Sequence, residues 1–440
     1  GPGQRLRSRA GRLLHTADRH TTPTCLMTAA PHPARTVPTG GSWAALLLLT
    51  TGFAMSQAFR TVAAIMADPL QAELHLSPQQ LGVFAAAYHF AFGALQLFMG
   101  IGIDMHGVRR TILAASPLMV LGAVMSALAG NFAWLVAGQV LIGIGCAPAF
   151  LVCTVYIARH FPPARYTMVS SIILAVGGVG MLATGTPLAW LIELSSWRMG
   201  FWVLAACAAL SWGAIALWMR EPPPPATTQR ESLREAARTF GALFRLPHTL
   251  GIMALALVTY ASFVALRGLW LGPVMMQRHG WSLVATGNLA VVLTVVALAS
   301  LPVFGRLDPG PRRRRTWMLT GTLASAALFG LLALGVSAPM DVVLMLLVCA
   351  VSGFATLQYP DVKDAYEPAV IGRAMALYTM ALFMGVALVQ WLTGAIASIA
   401  QAHGIDPFGP VFGCIAGLLA LGALGFRWLP QPPTHPPAQR

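Results

Sequence analysis

Long apolar blocks, each of roughly 20 residues and nearly free of charge, constrain this chain more than any other feature of its sequence. Such a block crosses the ~30 Å hydrocarbon core of a bilayer as an α-helix, which satisfies its own backbone hydrogen bonds. The blocks form two sets, and only the connection at 220–248 is long. The predicted helices are 43–67, 79–102, 110–129, 132–158, 167–192 and 198–219, then 249–274, 282–304, 316–336, 340–359, 370–399 and 408–429. The sequence therefore predicts an all-α membrane protein with twelve transmembrane helices in two six-helix bundles.

The composition excludes an ordinary soluble protein. Hydrophobic residues form 57% of the chain and charged residues 10%, whereas soluble domains carry about 25% charged residues. The net charge of +14 does not indicate a nucleic-acid partner, because the basic residues lie mainly in turns between apolar blocks, where they set membrane orientation. If the N-terminus is cytoplasmic, the external turns hold Arg198 and Arg278, and nearly all other basic residues are cytoplasmic. We therefore expect both termini in the cytoplasm.

The segments outside the blocks predict two tails and one surface helix. The predicted order is a disordered basic tail at 1–41, a bundle at 42–219, a linker at 220–248, a bundle at 249–429 and a disordered tail at 430–440. The first tail lacks the apolar stretch of a secretory signal, and Met27 is a candidate natural start. In the linker, apolar residues from Leu233 to Phe244 recur on one helical face. This favours an amphipathic helix on the cytoplasmic membrane surface over a loosely structured linker.

The two halves share a pattern of charged and small residues. The repeated residues are Arg60, Gly82 and Asp104 in the first half and Arg267, Gly287 and Asp308 in the second. Their spacings differ by only a few residues, and arginines follow each aspartate. A six-helix unit duplicated in parallel is typical of one large class of secondary transporters.

The turn after the second predicted helix carries the most specific motif. It reads Gly100-Ile-Gly-Ile-Asp104-Met-His-Gly107-Val-Arg109-Arg110. This segment resembles the G-x-x-x-D-[RK]-x-G-x-[RK]-[RK] motif of the major facilitator superfamily, with Met105 in place of the usual basic residue. The glycines permit a tight turn, and Asp104 is placed to pair with arginines. We expect the motif and its second copy at Asp308 to form a latch between the bundles; the alternative is that Arg109 and Arg110 only set topology.

The resemblance covers about 43–429 and implies a bacterial secondary transporter of the inner membrane. It implies alternating access between two bundles, a small-molecule substrate, a lipid bilayer as surroundings, no cofactor, and a monomer. Coupling to a proton or a counter-anion stays open. Gln139 departs from the proton-coupled pattern, which usually has Arg there, and the Gly-rich stretch 177–187 lacks the Gly-Pro pair of the antiporter motif.

Two arginines inside the predicted spans are the main candidates for contact with the solute. A charge within a span costs about 2.5–3.5 kcal/mol by insertion scales and usually faces a cavity. Arg60 and Arg267 occupy matching positions in the two halves, and guanidinium groups bind carboxylates bidentately. The sequence therefore predicts a small organic anion as substrate. The alternative is that both arginines, about 10–12 Å from the external helix ends, snorkel outward or cap backbone carbonyls.

Four further residues complete the predicted binding site. His89 is placed near mid-depth, where it would act as a proton relay or as a packing residue. Gln57, Tyr260 and Gln139 are candidate polar residues of the cavity wall. The predicted spans contain no deeply placed aspartate or glutamate, which weakens the case for carboxylate-based proton coupling.

Two other functions compete with an anion carrier. An exporter of drug-like or amphipathic compounds would bind its substrate in an apolar cavity and use the arginines structurally. A copper carrier is suggested only by Met380 and Met384, whose spacing is more typical of packing. The cysteines show no paired spacing, and the sequence contains no metal-ligand cluster, nucleophile elbow or phosphate loop. We therefore predict no metal site and no enzymatic activity.

Overall fold

A computed structural model of the chain describes residues 43–162, 165–220, 238, 241–367 and 370–432. Helices account for nearly all of them, which confirms the prediction of an all-α protein. The first half contains α1 (Trp43–Leu74), α2 (Pro78–Ala94), α3 (Gln96–His106), α4 (Val108–Ala127), α5 (Phe132–Cys146), α6 (Ala149–His160), α7 (Tyr166–Ala183), α8 (Thr186–Leu194) and α9 (Trp197–Trp218). The second half contains α10 (Pro247–Ala265), α11 (Leu271–Pro273), α12 (Leu283–Arg306), α13 (Pro311–Leu334), α14 (Ala338–Ser352), α15 (Gln358–Ala365), α16 (Ile371–Ala402) and α17 (Phe408–Trp428). The predicted tail at 1–41, most of the predicted linker helix and residues 433–440 lie outside the described residues.

Within the described residues, ten helical stretches are long and apolar enough to cross a membrane. The bent pair α2 and α3 makes an eleventh if it is one span. α1 has 32 residues but carries Arg60, Asp68 and Glu73, and it is not among the ten. The chain is therefore a multi-pass helical membrane protein.

Several helices bend where the sequence analysis predicted one continuous helix. α2 and α3 meet at an angle of 44°, and α5 ends just before Pro148, which lacks a backbone N–H. A 3₁₀ turn at Gly353–Leu357 joins α14 to α15. α10 continues through two π-helical stretches, Leu266–Trp270 and Val274–Arg278, on either side of α11. Such wide turns are frequent at functional sites, and the first of them contains Arg267.

α1 is longer than predicted, so Arg60 lies farther from the end of its helix. The prediction ended this helix at residue 67, but the helix includes Pro69 and continues to Leu74. Arg60 therefore lies fourteen residues from the helix end, about 21 Å at 1.5 Å per residue. This distance is about twice the 10–12 Å that the predicted helix end implied.

The two halves repeat the same backbone conformation before their third long helix. Gly107 precedes α4 with φ 84° and ψ 169°, and Gly310 precedes α13 with φ 82° and ψ 170°. Glycine adopts a positive φ at little cost, whereas other residues are strained there. The duplication that the sequence predicts is therefore visible in the backbone of these two turns.

Glycines let the two halves approach closely along two seams. Gly82 and Gly93 of α2 face α16, and a methyl group on Gly93 would lie 2.8 Å from the Met384 side chain. Gly272 of α11 packs directly on the carbonyl of Ala64 in α1. Small residues allow helix backbones to pack this closely within a membrane. The seams place α1, α2, α10 and α16 around one region.

Turns alternate between two ends of the bundle, because consecutive helical rods run in opposite directions. We call the end that holds residues 75–77 the Ser77 side. The opposite end, which holds Gly107 and the turn at 307–310, is the Gly107 side. At the Ser77 side, the backbone N–H of Gln79 donates to the Ser398 hydroxyl at 2.8 Å. There the Thr186 hydroxyl donates to the Asn288 side chain at 2.6 Å. Both hydrogen bonds join one half to the other.

Candidate functional site

Arg60 lies in the contact between the two halves and is only 7% exposed. Its Nη1 donates a 2.9 Å hydrogen bond to the hydroxyl of Tyr260. Its guanidinium carbon lies 5.3 Å from the ring centre of Phe92 and 4.7 Å from that of Phe383. Aromatic faces stabilise a cation, but none of these neighbours carries a negative charge. Nε has no hydrogen-bond partner among the described residues.

Aromatic rings from both halves surround this guanidinium. The ring centres of Phe92 and Phe383 are 4.3 Å apart, and Tyr260 packs edge-on against Phe383 at 5.7 Å. α2 of the first half supplies Phe92, whereas α16 and α10 of the second half supply the other two rings. Any movement of one half against the other therefore changes the surroundings of Arg60.

Buried polar atoms without hydrogen-bond partners in the described chain occur near Arg60. They are Oε1 of Gln57, Nε2 of His89 and both side-chain amide atoms of Gln390. A methyl group on Gly268 would lie 3.3 Å from the Arg60 carbonyl oxygen and 3.9 Å from the Gln390 amide nitrogen, so these two residues are neighbours. Because buried polar groups are normally hydrogen-bonded, these atoms are suited to bind a polar solute.

His89 belongs to the same cluster through its ring. Its Nδ1 lies 3.0 Å from the Ala85 carbonyl oxygen, and a carbonyl only accepts hydrogen bonds, so Nδ1 carries a hydrogen. In the neutral imidazole Nε2 is then an acceptor. The ring stacks on Phe383 with the centres 6.4 Å apart. This geometry fits a solute-binding acceptor and also fits a packing residue.

Arg267 has different surroundings from those of Arg60. It is fully buried, with 0% of its surface exposed. Nε donates to the Ala290 carbonyl at 3.1 Å and to the Thr294 hydroxyl at 2.9 Å, and Nη2 donates to the Met181 carbonyl at 3.1 Å. Nη1 has no partner in the part of the chain that the structure describes. Met181 belongs to α7 of the first half, so Arg267 joins the halves by capping a carbonyl, as the sequence alternative proposed.

Met181 also connects Arg267 to the region of Arg60. Gln57, one turn before Arg60 on α1, donates from Nε2 to the Met181 sulfur at 3.6 Å. The side chains of α1, α7 and the extension of α10 therefore form one connected network.

The structure brings together four of the six predicted solute contacts. These four are Arg60, Gln57, Tyr260 and His89. Arg267 joins them through Met181. Gln139 is buried on α5 with an unpartnered amide nitrogen, and neither arginine is hydrogen-bonded to it within the described residues.

Three residues of this site were not predicted from the sequence. Gln390 did carry a usable signal, because it is a buried polar residue in the middle of an apolar span. Phe92 and Phe383 carried none, since a phenylalanine in an apolar helix looks the same whether it faces lipid, the core or a cation. Only the crossing of α1, α2 and α16 reveals their role.

The charged turns at the Gly107 side form ion pairs within each half. Asp104 pairs with Arg159 at 3.2 Å. Asp308 pairs with Arg314 at 2.7 Å, and Arg314 also contacts Asp364 at 2.6 Å. The hydrogen bonds from Arg314 hold the pKa of the Asp308 carboxyl below its usual range. These pairs do not link the two bundles, so the predicted latch is not formed by them in this conformation.

The other residues of the predicted latch also contact their own half. Arg109 donates to the Ala216 carbonyl at 2.8 Å, Arg110 is exposed, and Gly100 lies near Leu151 of α6.

A membrane-embedded bundle of two repeated halves, with a polar site buried where they meet, defines a transporter of solutes. Comparison with known families specifies this class. The family model of the Major Facilitator Superfamily matches residues 48–362, and the chain belongs to that superfamily.

Known relatives are distant or partial. An uncharacterised MFS-type transporter, EfpA of Mycobacterium tuberculosis, is 32% identical over 184 residues, which cover 40% of this chain and 34% of that protein. The chain thus spans about a third of this relative. The MFS efflux transporter inpD of Emericella nidulans is 25% identical over 152 residues, covering 34% of this chain and 29% of that protein. The hexuronate transporter of Escherichia coli K12 is 23% identical over 414 residues, covering 88% of this chain and 93% of that protein.

Solved structures share the fold. The crystal structure of a D-xylose–proton symporter superposes with a TM-score of 0.71 at 17% identity, covering 88% of this chain and 98% of that one. At this identity the likeness concerns the fold alone.

Proposed function

We propose that this transporter carries a small organic anion across a bacterial inner membrane by alternating access, and that Arg60 binds the carboxylate of the solute. The observation that carries the proposal is a buried guanidinium between the two halves whose described neighbours are all uncharged. Leaving a charge buried without a partner is strongly unfavourable. An anionic solute supplies the missing counter-charge.

The groups around Arg60 suit a solute that is both charged and polar. A guanidinium binds a carboxylate through two parallel N–H···O bonds, and Nε of Arg60 is free to make one of them. Gln57, His89 and Gln390 offer acceptors and donors for hydroxyl groups. The relative that matches 88% of this chain is a hexuronate transporter, and hexuronates are sugar acids with a carboxylate and several hydroxyl groups. Both observations support a hydroxylated carboxylate.

Export of drug-like compounds is a second candidate. The observation in its favour is the aromatic cluster of Phe92, Tyr260 and Phe383, which offers flat apolar surfaces, and one partial relative is an efflux transporter. In this case Arg60 would only hold the rings together through cation–π contacts.

The proposal includes twelve spans, cytoplasmic termini and a monomer without enzymatic activity. α1 would be the additional span, since its 32 residues are long enough. Arg60 faces the second half and not lipid, so it does not prevent α1 from crossing a membrane.

A thermal-shift screen of the purified protein tests the proposed function. The ligands are D-galacturonate, D-glucuronate, sulfoacetate, D-galactose and a set of hydrophobic cations. A ligand that binds only the folded state stabilises it and raises the melting temperature. At 100 times its Kd the added free energy of unfolding is about 2.7 kcal/mol. We expect stabilisation by carboxylates and none by D-galactose. Stabilisation confined to the neutral sugar or the hydrophobic cations would overturn the anion proposal.

A further inference from the structure

We propose that this transporter is an obligatory anion exchanger, whose halves rearrange readily only when an anion is bound at Arg60. The inference rests on the proposed function, because it takes Arg60 as the anion ligand. It adds the counter-substrate: a second anion must occupy the same site on the return step.

The first observation is an excess of positive charge in the middle of the protein. Arg60 and Arg267 lie between the halves, and every hydrogen bond that they make within the described residues goes to an uncharged group. The next acidic residue along α1, Asp68, accepts a hydrogen bond from Gln277 toward the Ser77 side instead. No described carboxylate forms an ion pair with either guanidinium.

The second observation is that residues of both halves cover the two arginines. Arg60 contacts Tyr260 and Phe383 of the opposite half, and Arg267 contacts Met181 of the opposite half. In alternating access the binding site is exposed to one side and then to the other. In the conformation described, Arg60 is 7% exposed and Arg267 is fully buried. This is the covered site through which the protein must pass between its two open conformations.

These two observations together determine when the protein can change between the conformation open to one side of the membrane and the conformation open to the other. When the site is open to either side, water stabilises the Arg60 guanidinium. When the site is covered, water is excluded, and a buried charge without a partner is strongly disfavoured. A bound carboxylate removes that cost. The protein with a bound anion therefore changes between its two open conformations in both directions. The unloaded protein makes this change slowly, so net uptake without a counter-anion is slow.

Protonation of the neighbouring groups does not replace the anion. The titratable side chains near the guanidinium are His89, Cys146, Tyr88, Tyr260 and Tyr359. A cysteine thiol, with an ordinary pKa of about 8.5, is largely neutral at physiological pH. Histidine is neutral or positive, so proton binding to His89 adds to the excess charge. A tyrosine hydroxyl is neutral at physiological pH. A proton gradient should therefore not drive accumulation of the anion.

The direct test compares exchange with net flux in proteoliposomes. Radiolabelled D-galacturonate is loaded inside, and its efflux is measured into buffer that contains either no organic anion or unlabelled D-galacturonate. We expect efflux at least tenfold faster into the second buffer, and no accumulation when an inward proton gradient is imposed. Equal efflux into both buffers, or accumulation driven by the gradient, would overturn exchange while leaving the anion substrate intact. If D-galacturonate neither raises the melting temperature nor is transported across the proteoliposome membrane, the protein is not a hexuronate transporter, and the proposed function fails for this substrate.

A second measurement tests the charge argument without any solute. Ala189 is fully buried at the seam between the halves on the Ser77 side, against Gly287. An Ala189→Cys variant, with the native cysteines replaced, is labelled with a hydrophilic maleimide. Adding Arg60→Gln should slow labelling at least fivefold, because the covered conformation of the unloaded protein no longer buries an uncompensated charge and becomes more populated. Tyr260→Phe is the matched control: it breaks the same contact between the halves but keeps the charge. Equal labelling rates in the two variants would contradict the charge argument.

Discussion

The two halves of this transporter repeat one sequence pattern and use it differently. Arg60 and Arg267 occupy matching positions, yet Arg60 lies among aromatic rings with one neutral hydrogen bond, whereas Arg267 makes three hydrogen bonds to uncharged oxygens inside a π-helical stretch. The first has hydrogen-bonding capacity to spare for a ligand. The second already uses most of its capacity within the protein. Duplication therefore preserves position, and the neighbours of each residue determine its role.

The two turns at the Gly107 side differ in the same way. Gly107 and Gly310 have the same backbone conformation, but Asp104 makes one exposed ion pair, whereas Asp308 belongs to a partly buried cluster with Arg314 and Asp364. In this second comparison the second half is again the more internally connected one.

The largest effect is expected at Arg60. Arg60→Gln should lower the rate of D-galacturonate exchange about 30-fold or more, because a buried partner of a carboxylate is typically worth 2 kcal/mol or more. Arg60→Lys keeps the charge but not the bidentate geometry, and it should recover only part of the rate. The measurement is initial exchange rate in proteoliposomes at matched protein density. Exchange by Arg60→Gln within threefold of the unmodified protein would break the distinction between the two arginines.

A smaller effect of another kind is expected at Arg267. Arg267→Gln should slow transport about tenfold, since hydrogen bonds that join α10 to α7 and α12 are lost at roughly 1 kcal/mol each. Affinity for the anion should change by less than about threefold, because Arg267 does not contact the solute in this account. Binding by calorimetry and exchange by flux separate the two quantities. Thr294→Val, which removes one acceptor only, is the matched control. A loss of affinity as large as that of Arg60→Gln would show that both arginines bind the anion.

The turns should differ in their contribution to stability. Asp308→Asn should lower the free energy of unfolding by about 1.5 kcal/mol, the low end of the range for hydrogen bonds to charged groups, because this carboxylate is partly exposed. Asp104→Asn should cost less than about 1 kcal/mol, as exposed ion pairs do. Thermal unfolding of both variants in the same detergent measures the difference. Equal losses would remove the asymmetry between the two turns.

The Asp308 contribution should also depend on pH with a definite sign. Because the pKa of this carboxyl is lowered in the folded protein, its stabilisation is fully present above the ordinary Asp value of about 3.9. It is lost as the pH falls through the lower folded value. The difference between the unmodified protein and Asp308→Asn should therefore be constant from pH 7 to pH 5 and shrink only below about pH 4. A difference that already disappears near pH 6 would exclude this carboxylate as its source.

The smallest effect is expected at His89. His89→Gln keeps a polar side chain of similar length, so affinity for the anion should change by less than about threefold. Exchange by the unmodified protein and by His89→Gln should show the same dependence on pH between pH 6 and pH 8. A pH dependence that vanishes in the variant would indicate that His89 relays a proton, and it would weaken the exchange proposal.

Much of the fold follows from one-dimensional signals in the sequence. The apolar blocks predicted the helices, and the Arg60 and Arg267 repeat predicted the duplication seen at Gly107 and Gly310. The bends at α2–α3 and the π-helical stretches around α11 were not predictable, because they depend on which backbones must approach closely. The first helix was predicted to end at residue 67, yet α1 passes through Pro69 to Leu74, so tertiary packing outweighed local preference.

Part of the candidate site could also be predicted from the sequence alone. Arg60, Gln57, Tyr260 and His89 were found because a polar group in an apolar span is unfavourable unless it has a function or a partner. The division of roles between Arg60 and Arg267 was not predictable, since it depends on Thr294 and on the carbonyls of Met181 and Ala290. Backbone carbonyls leave no trace in a sequence.

The most direct test of the central claim is a calorimetric titration of the unmodified protein and of Arg60→Gln, each with D-galacturonate and with D-galactose. The two ligands differ mainly in the carboxylate. If Arg60 binds that carboxylate, the unmodified protein should bind the acid at least tenfold more tightly than the neutral sugar, and Arg60→Gln should lose this preference. A preference for the acid that survives in Arg60→Gln would contradict the account.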